Sequence, residues 1–176
     1  MIELIPLFSL TFVLFTLLIF IRAALHKIFD FLEFQGFVAD YRLLPEALVK
    51  PAAGLLVMGE LCIVALLLVD ATRGVGLMLA AGLLAGYALA MGINLQRGHT
   101  RIECGCGGTP QLLSRSLIWR NLGLILIALL PLLALPGVLS AIEIGFAMVA
   151  AVFMLVFYLL FEQTNANFIA IYSKNS

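Results

Sequence analysis

From Leu4 to Ile21 the chain carries no charged side chain, and that run alone leaves few folds open. In hydrocarbon every backbone N–H and C=O must be satisfied within the protein, so an uncharged run of this length reads as a membrane-spanning helix. About 20 apolar residues cross a bilayer, and four further runs approach that length. Pro51–Val69 is interrupted by Glu60 at its centre, and Gly74–Leu95 is rich in small residues. Ser116–Leu135 opens with Trp119, Arg120 and Asn121, and Val138–Phe161 carries Glu143 near its start. Pro136-Gly137 marks a tight turn between the last two. The pattern predicts an all-α membrane protein of one domain over 1–176: a polytopic bundle of about five spans at 4–21, 51–69, 74–95, 116–135 and 138–161.

Composition agrees. The chain is 64% hydrophobic and 11% charged, where a soluble domain carries about a quarter charged residues. Zero formal net charge and the lack of a basic stripe argue against a nucleic-acid partner. Three cysteines are too few for a dense disulfide framework. Met1-Ile2-Glu3 lacks a basic n-region and no A-x-A site follows, so the first span is expected to stay as an anchor. Gly82 and Gly86 form a G-x-x-x-G pattern with Ala81, Ala85 and Ala90 nearby, which lets helices approach closely. Cys62, inside an apolar run, reads as a small buried apolar side chain.

Two hydrophilic stretches break the pattern. Residues 22–50 mix charges with Phe29, Phe31, Phe34 and Phe37, which predicts an extension of the first helix followed by an interfacial segment along the headgroups. Residues 96–115 form a loop holding Cys104-Gly105-Cys106-Gly107-Gly108. Cα atoms at that cysteine spacing are at most about 7 Å apart, and a disulfide needs about 4.4–6.8 Å. The ring closes only if the backbone bends, which the flanking glycines allow. So tight a ring favours reduction and exchange over permanent structural use. The pair reads as a reactive dithiol or as incidental thiols on a glycine turn.

Exchange requires a thiolate, which cations favour. Arg97, His99, Arg101, Arg115 and Arg120 surround the cysteines in sequence. His99 is either a proton carrier during exchange or a solvated loop histidine. Structural zinc takes four ligands, and the loop offers only Cys104, Cys106 and His99, so no metal is expected. An ionised Glu60 at the bilayer centre costs roughly 2.5–3.5 kcal/mol even on insertion scales. It must be neutral, paired or in a polar cavity. Lys27 or Arg120 can pair with it, locking helices together or handling a proton.

Five spans put both hydrophilic stretches and the C-terminal end on one side of the bilayer. That side holds nine Lys and Arg residues, including Arg22, Lys27, Arg42, Arg97 and Arg120, and the other holds only Arg73. The positive-inside rule then puts the cysteine loop in the cytoplasm, whereas thiol oxidation belongs outside it.

Arg22-Ala-Ala-Leu-His-Lys27, Phe37-Val-Ala-Asp-Tyr41-Arg-Leu-Leu-Pro45, Glu60-Leu61, Cys104-Gly-Cys106 and Arg120-Asn121 together resemble the MauE family of methylamine utilisation proteins and the wider MauE/DoxX group. The resemblance covers nearly the whole chain. One departure is Gly107, where the family commonly has an aromatic residue. The resemblance implies an accessory role in maturing methylamine dehydrogenase, whose disulfide-rich small subunit folds in the periplasm. It also implies a membrane-anchored, thioredoxin-like partner similar to MauD, and residence in the bacterial inner membrane. The four-helix core with a cysteine loop is similar in outline to thiol oxidases of the DsbB and vitamin K epoxide reductase type, an analogy of fold. Cys104 and Cys106 would be the catalytic pair, with the loop periplasmic despite the charge count. No haem or flavin motif is present, so a quinone is the expected electron acceptor, with Trp119, Arg120 and Asn121 as its candidate site. The alternative is a non-enzymatic scaffold that holds the thioredoxin-like partner.

Overall fold

The computed structural model describes residues 4–99, 102, 113–133 and 139–174. Six α-helices follow one another: α1 (Leu4–Phe29), α2 (Phe31–Asp40), α3 (Glu46–Leu68), α4 (Arg73–Gln96), α5 (Arg115–Leu129) and α6 (Ala141–Lys174). Short 3-10 turns at Asp70–Thr72 and Leu130–Leu133 lead into α4 and out of α5. With these turns included, every helix except α2 is long and apolar enough to cross a membrane, which makes five spans. The protein is a multi-pass membrane protein, and no strand occurs among the described residues.

Local chemistry sets the joints. Between α1 and α2 the Asp30 N–H donates to His26 O (3.0 Å) and Phe34 N–H to Asp30 O (2.9 Å), so the backbone bends there without opening a loop. α2 packs on α3 by burying Phe34 against Ala53 and Val57. The chain reverses at 41–45, where Arg42 adopts φ 47°, a left-handed conformation uncommon outside glycine. At the end of α4, Gly98 has φ 79°. Gly98 N–H then donates to Leu95 O (3.1 Å) and His99 N–H to Asn94 O (3.0 Å), the helix-ending pattern that glycine makes cheap. α6 opens with a capping box: Ser140 Oγ accepts from Glu143 N–H (3.3 Å), and Ser140 N–H donates to Glu143 Oε2 (2.8 Å).

α1 lies against α3 and α6, while α4 bridges α3 and α5. The central core gathers Phe15, Phe20, Ile63, Leu67, Leu77, Leu84, Leu124 and Ala151. Helices in lipid gain little from hiding apolar surface, so close packing and interhelical polar contacts hold such a bundle together. The tightest approach is at Gly76, where an added Cβ would sit 3.1 Å from Leu66 and Leu67 side-chain atoms. Gly82 and Gly86 instead face open space, so the G-x-x-x-G pattern closes no contact among the described residues. Cys62 departs from its expected burial as well. It is exposed on the outer surface of α3, whereas Glu60, Ile63 and Leu67 take the inward positions.

Candidate functional site

Cys104 and Cys106 lie outside the described residues, as does Arg101, but the two ends of their loop are described. Leu113 N–H donates to Ile102 O (3.0 Å), pinning the loop's exit to its entrance. Leu113 is buried with Met91 and Leu117, and Tyr41, Tyr87, Leu95, Ile102 and Ile118 pack around them. Ile102 and Leu113, the described ends of the cysteine loop, are therefore anchored where α4, α5 and the 41–45 turn meet. Arg97 Nη1 donates to Arg42 O (3.5 Å) across the same junction.

The cations near the loop divide into two groups. Arg97 and Arg115 are exposed, while Arg120 turns into the bundle and pairs with Glu162 at 2.9 Å. His99 Nδ1 lies 3.2 Å from Oδ1 of the fully buried Asn94, which ties the histidine to the end of α4. Burial pushes the Tyr41 phenol up to about 12 against the opposing charge of Arg120. Tyr41 is thus a neutral hydrogen-bonding group at physiological pH.

Beneath this junction lies a buried polar cluster. Lys27 on α1 pairs with Glu60 on α3, each 1% exposed. The Tyr87 hydroxyl on α4 donates to Glu60 Oε1 (2.8 Å) and lies 3.4 Å from Lys27 Nζ. The ammonium also sits 5.2 Å from the Phe34 ring centroid and 5.0 Å from that of Tyr87, within cation–π range. Arg120, the other cation considered for Glu60, is committed elsewhere. Glu162 joins it to Arg22, whose Nη1 is 3.2 Å from Glu162 Oε2. Glu162 was not singled out from sequence. Its signal is a carboxylate on the same helix as an uninterrupted apolar run, one turn beyond Tyr158.

Two spaces open beside these groups. An apolar cavity of about 370 Å³ is lined by Phe34, Phe37, Val38, Tyr41, Leu43, Leu44, Ala52, Leu55, Leu56, Tyr87 and Ala90. It lies on the packed side of the loop's anchor, since Tyr41 and Tyr87 belong to both. A groove of about 470 Å³ between α5 and α6 is lined in part by Trp119, Arg120, Met154, Phe157 and Phe161. Trp119 and Arg120 share this groove and Arg120 and Asn121 share a smaller pocket, but no one space is lined by all three. Trp119 is 72% exposed on the outer surface, Arg120 reaches Glu162, and Asn121 is buried facing the smaller pocket. Successive helical positions point about 100° apart, which accounts for the divergence.

Comparison with known proteins places this arrangement. The sequence model of the family described as "Methylamine utilisation protein MauE" matches residues 5–135. Curated relatives named "Methylamine utilization protein MauE" match over most of the chain. That of Methylorubrum extorquens is 38% identical over 81% of this chain and 80% of its own length. Those of Methylophilus methylotrophus and Paracoccus denitrificans are 37% and 36% identical, over 78% and 73% of this chain and 73% and 70% of their own lengths. No solved structure matches the chain. The Lys27–Glu60–Tyr87 cluster lies wholly within the matched region, whereas Glu162 lies beyond it.

Proposed function

The chain belongs to the MauE family of methylamine utilisation proteins, and from that premise we propose that Cys104 and Cys106 exchange disulfides with a thioredoxin-like, MauD-like partner. The exchange supports disulfide formation in the small subunit of methylamine dehydrogenase. The observation that carries the reading is the anchoring of the cysteine loop: Ile102 and Leu113 are pinned to each other and to a packed three-way junction. Incidental thiols need no such mount, while a reactive pair has to be presented at a fixed place. Exposed Arg97 and Arg115 flank the loop in sequence and favour thiolate over thiol.

In the proposed direction, a thiolate of the reduced partner attacks one sulfur of the Cys104–Cys106 disulfide, forming a mixed disulfide and freeing the other cysteine as thiolate. The partner's second thiolate then attacks the mixed disulfide. The partner leaves oxidised, and Cys104 and Cys106 are left reduced. Two electrons and two protons must then leave the pair, and a lipid-soluble quinone, when bound, would supply an acceptor for both. The cavity of about 370 Å³ is apolar, aromatic-lined and large enough for a ring-sized ligand. Phe34, Phe37, Tyr41 and Tyr87 would hold the ring beside the loop's anchor. We place the loop on the periplasmic face of the inner membrane, where the implied substrate folds. This placement follows the implied substrate and stands against the charge count, which ion pairing does not weaken, because Arg73, the one cation on the opposite side, is itself paired with Asp70.

The scaffold reading has its own support in Gly82 and Gly86, whose open faces leave room for another helix against α4. Replacing both loop cysteines by serine separates the readings. A dithiol relay loses methylamine dehydrogenase maturation while the membrane protein and its partner accumulate normally. A scaffold keeps maturation.

A further inference from the structure

A small pocket of about 30 Å³ lies among α1, α3, α4, α5 and α6, with Phe20, Glu60, Leu84, Tyr87, Arg120 and Asn121 among its walls. Two of these side chains end in buried polar atoms that have no partner among the described residues, Glu60 Oε2 and Asn121 Nδ2. Both residues are sealed from the surroundings, at 1% and 2% exposed. One atom is an acceptor and the other a donor. In hydrocarbon such atoms cannot borrow a partner from bulk water, so leaving both bare is costly. A cavity holds a water once it offers roughly 10–15 Å³ and two to four polar partners. This one meets both conditions and is too small for any larger ligand.

We propose that the cavity is a structural water site. The water accepts from Asn121 Nδ2 and donates to Glu60 Oε2, and Tyr87 on the same wall offers an acceptor for its second hydrogen. The consequence is architectural and chemical. α3 and α5 are not among the closely packed helix pairs, and the water couples Glu60 to α5. It also joins the Lys27–Glu60–Tyr87 cluster to the helix that carries Arg120. Glu60 thereby gains a protic neighbour on its open side, through which a proton can move without entering lipid. The inference stands whether or not the loop cysteines exchange disulfides, because it rests on different residues.

The test is a double-mutant cycle read as thermal midpoint of the full-length protein in detergent. With a bridging water, Asn121→Leu strands the carboxylate and lowers the midpoint in the native background. In a Lys27→Met, Glu60→Leu background no carboxylate remains to strand, and the same change leaves the midpoint level or raises it. A dry cavity gives the same shift in both backgrounds, which overturns the proposal. An experimental high-resolution structure of the unaltered protein supplies the second measurement. Density within hydrogen-bonding distance of both Glu60 and Asn121 supports the site. An empty cavity, or Asn121 bonded directly to Glu60, overturns it.

Discussion

Lys27 and Glu60, 33 positions apart on α1 and α3, form a buried ion pair that Tyr87 completes from α4. Three helices are thus tied at one point in the bundle. Lys27 lies in the last turn of α1, close to the joint with α2, so the tie also sets where α2 begins its path across α3. Phe34, one face of that path, packs over the ammonium.

Removing one partner leaves an uncompensated buried charge, which costs about 3–5 kcal/mol, whereas replacing both by apolar residues is often neutral. Lys27→Met or Glu60→Leu alone should therefore sharply reduce the folded yield in detergent. The double variant should recover most of it, as read by thermal midpoint and monodispersity.

Glu162 serves two cations, Arg22 and Arg120, and is itself 5% exposed. Glu162→Leu should destabilise by several times more than Glu143→Ala. Glu143 completes an exposed capping box, and losing such a cap costs about 1 kcal/mol. Thermal midpoints of the two variants side by side check the order.

The glycines of α4 separate by the space beyond them. At Gly76 an added methyl meets Leu66 and Leu67 at 3.1 Å, and overpacking of this kind costs about 1–3 kcal/mol. At Gly82 nothing lies within 4 Å, and Gly→Ala inside a helix gains about 0.5–1 kcal/mol. Gly76→Ala should lower the midpoint and Gly82→Ala should raise it. If instead Gly82→Ala also impairs maturation while the protein stays folded, the open face of α4 is an interface.

Much of this was legible in the sequence. Five spans follow from the length of the apolar runs, and Glu60 declares its need for a partner by its position in one of them. Which partner it takes was not legible, because Lys27 and Arg120 are both cations of suitable reach. The choice depends on how α1 and α5 are rotated about their axes. The same rotation keeps Trp119, Arg120 and Asn121 from lining any one space together, although they are adjacent in sequence. Gly82 and Gly86 advertised a close approach that the bundle makes at Gly76 instead. A small-residue pattern shows that a helix can be approached, not which neighbour approaches it. Glu162 escaped notice for a related reason: placed after an apolar run, it looked like the end of a span while α6 continues to Lys174.

Gly98 aims the chain from α4 into the cysteine loop at φ 79°, and an L-residue in that region costs about 1–2 kcal/mol. Gly98→Val should leave the spans assembled but disturb the loop. Maturation of methylamine dehydrogenase should fall well below that of Gly92→Ala, a change made where the nearest atom is 4.0 Å away. Protein abundance in the membrane serves as the control.

The most direct test of dithiol exchange is the redox state of Cys104 and Cys106 in intact cells, trapped with a membrane-impermeant maleimide. Samples are taken with and without prior reduction, and with and without the thioredoxin-like partner, in a Cys62→Ser background that removes the third thiol. The proposed exchange predicts labelling that rises after prior reduction, and a disulfide fraction that changes when the partner is deleted. In the proposed direction the disulfide accumulates, because nothing reduces it. Free thiols whose labelling is the same with and without the partner would contradict exchange and leave the scaffold as the role of the chain.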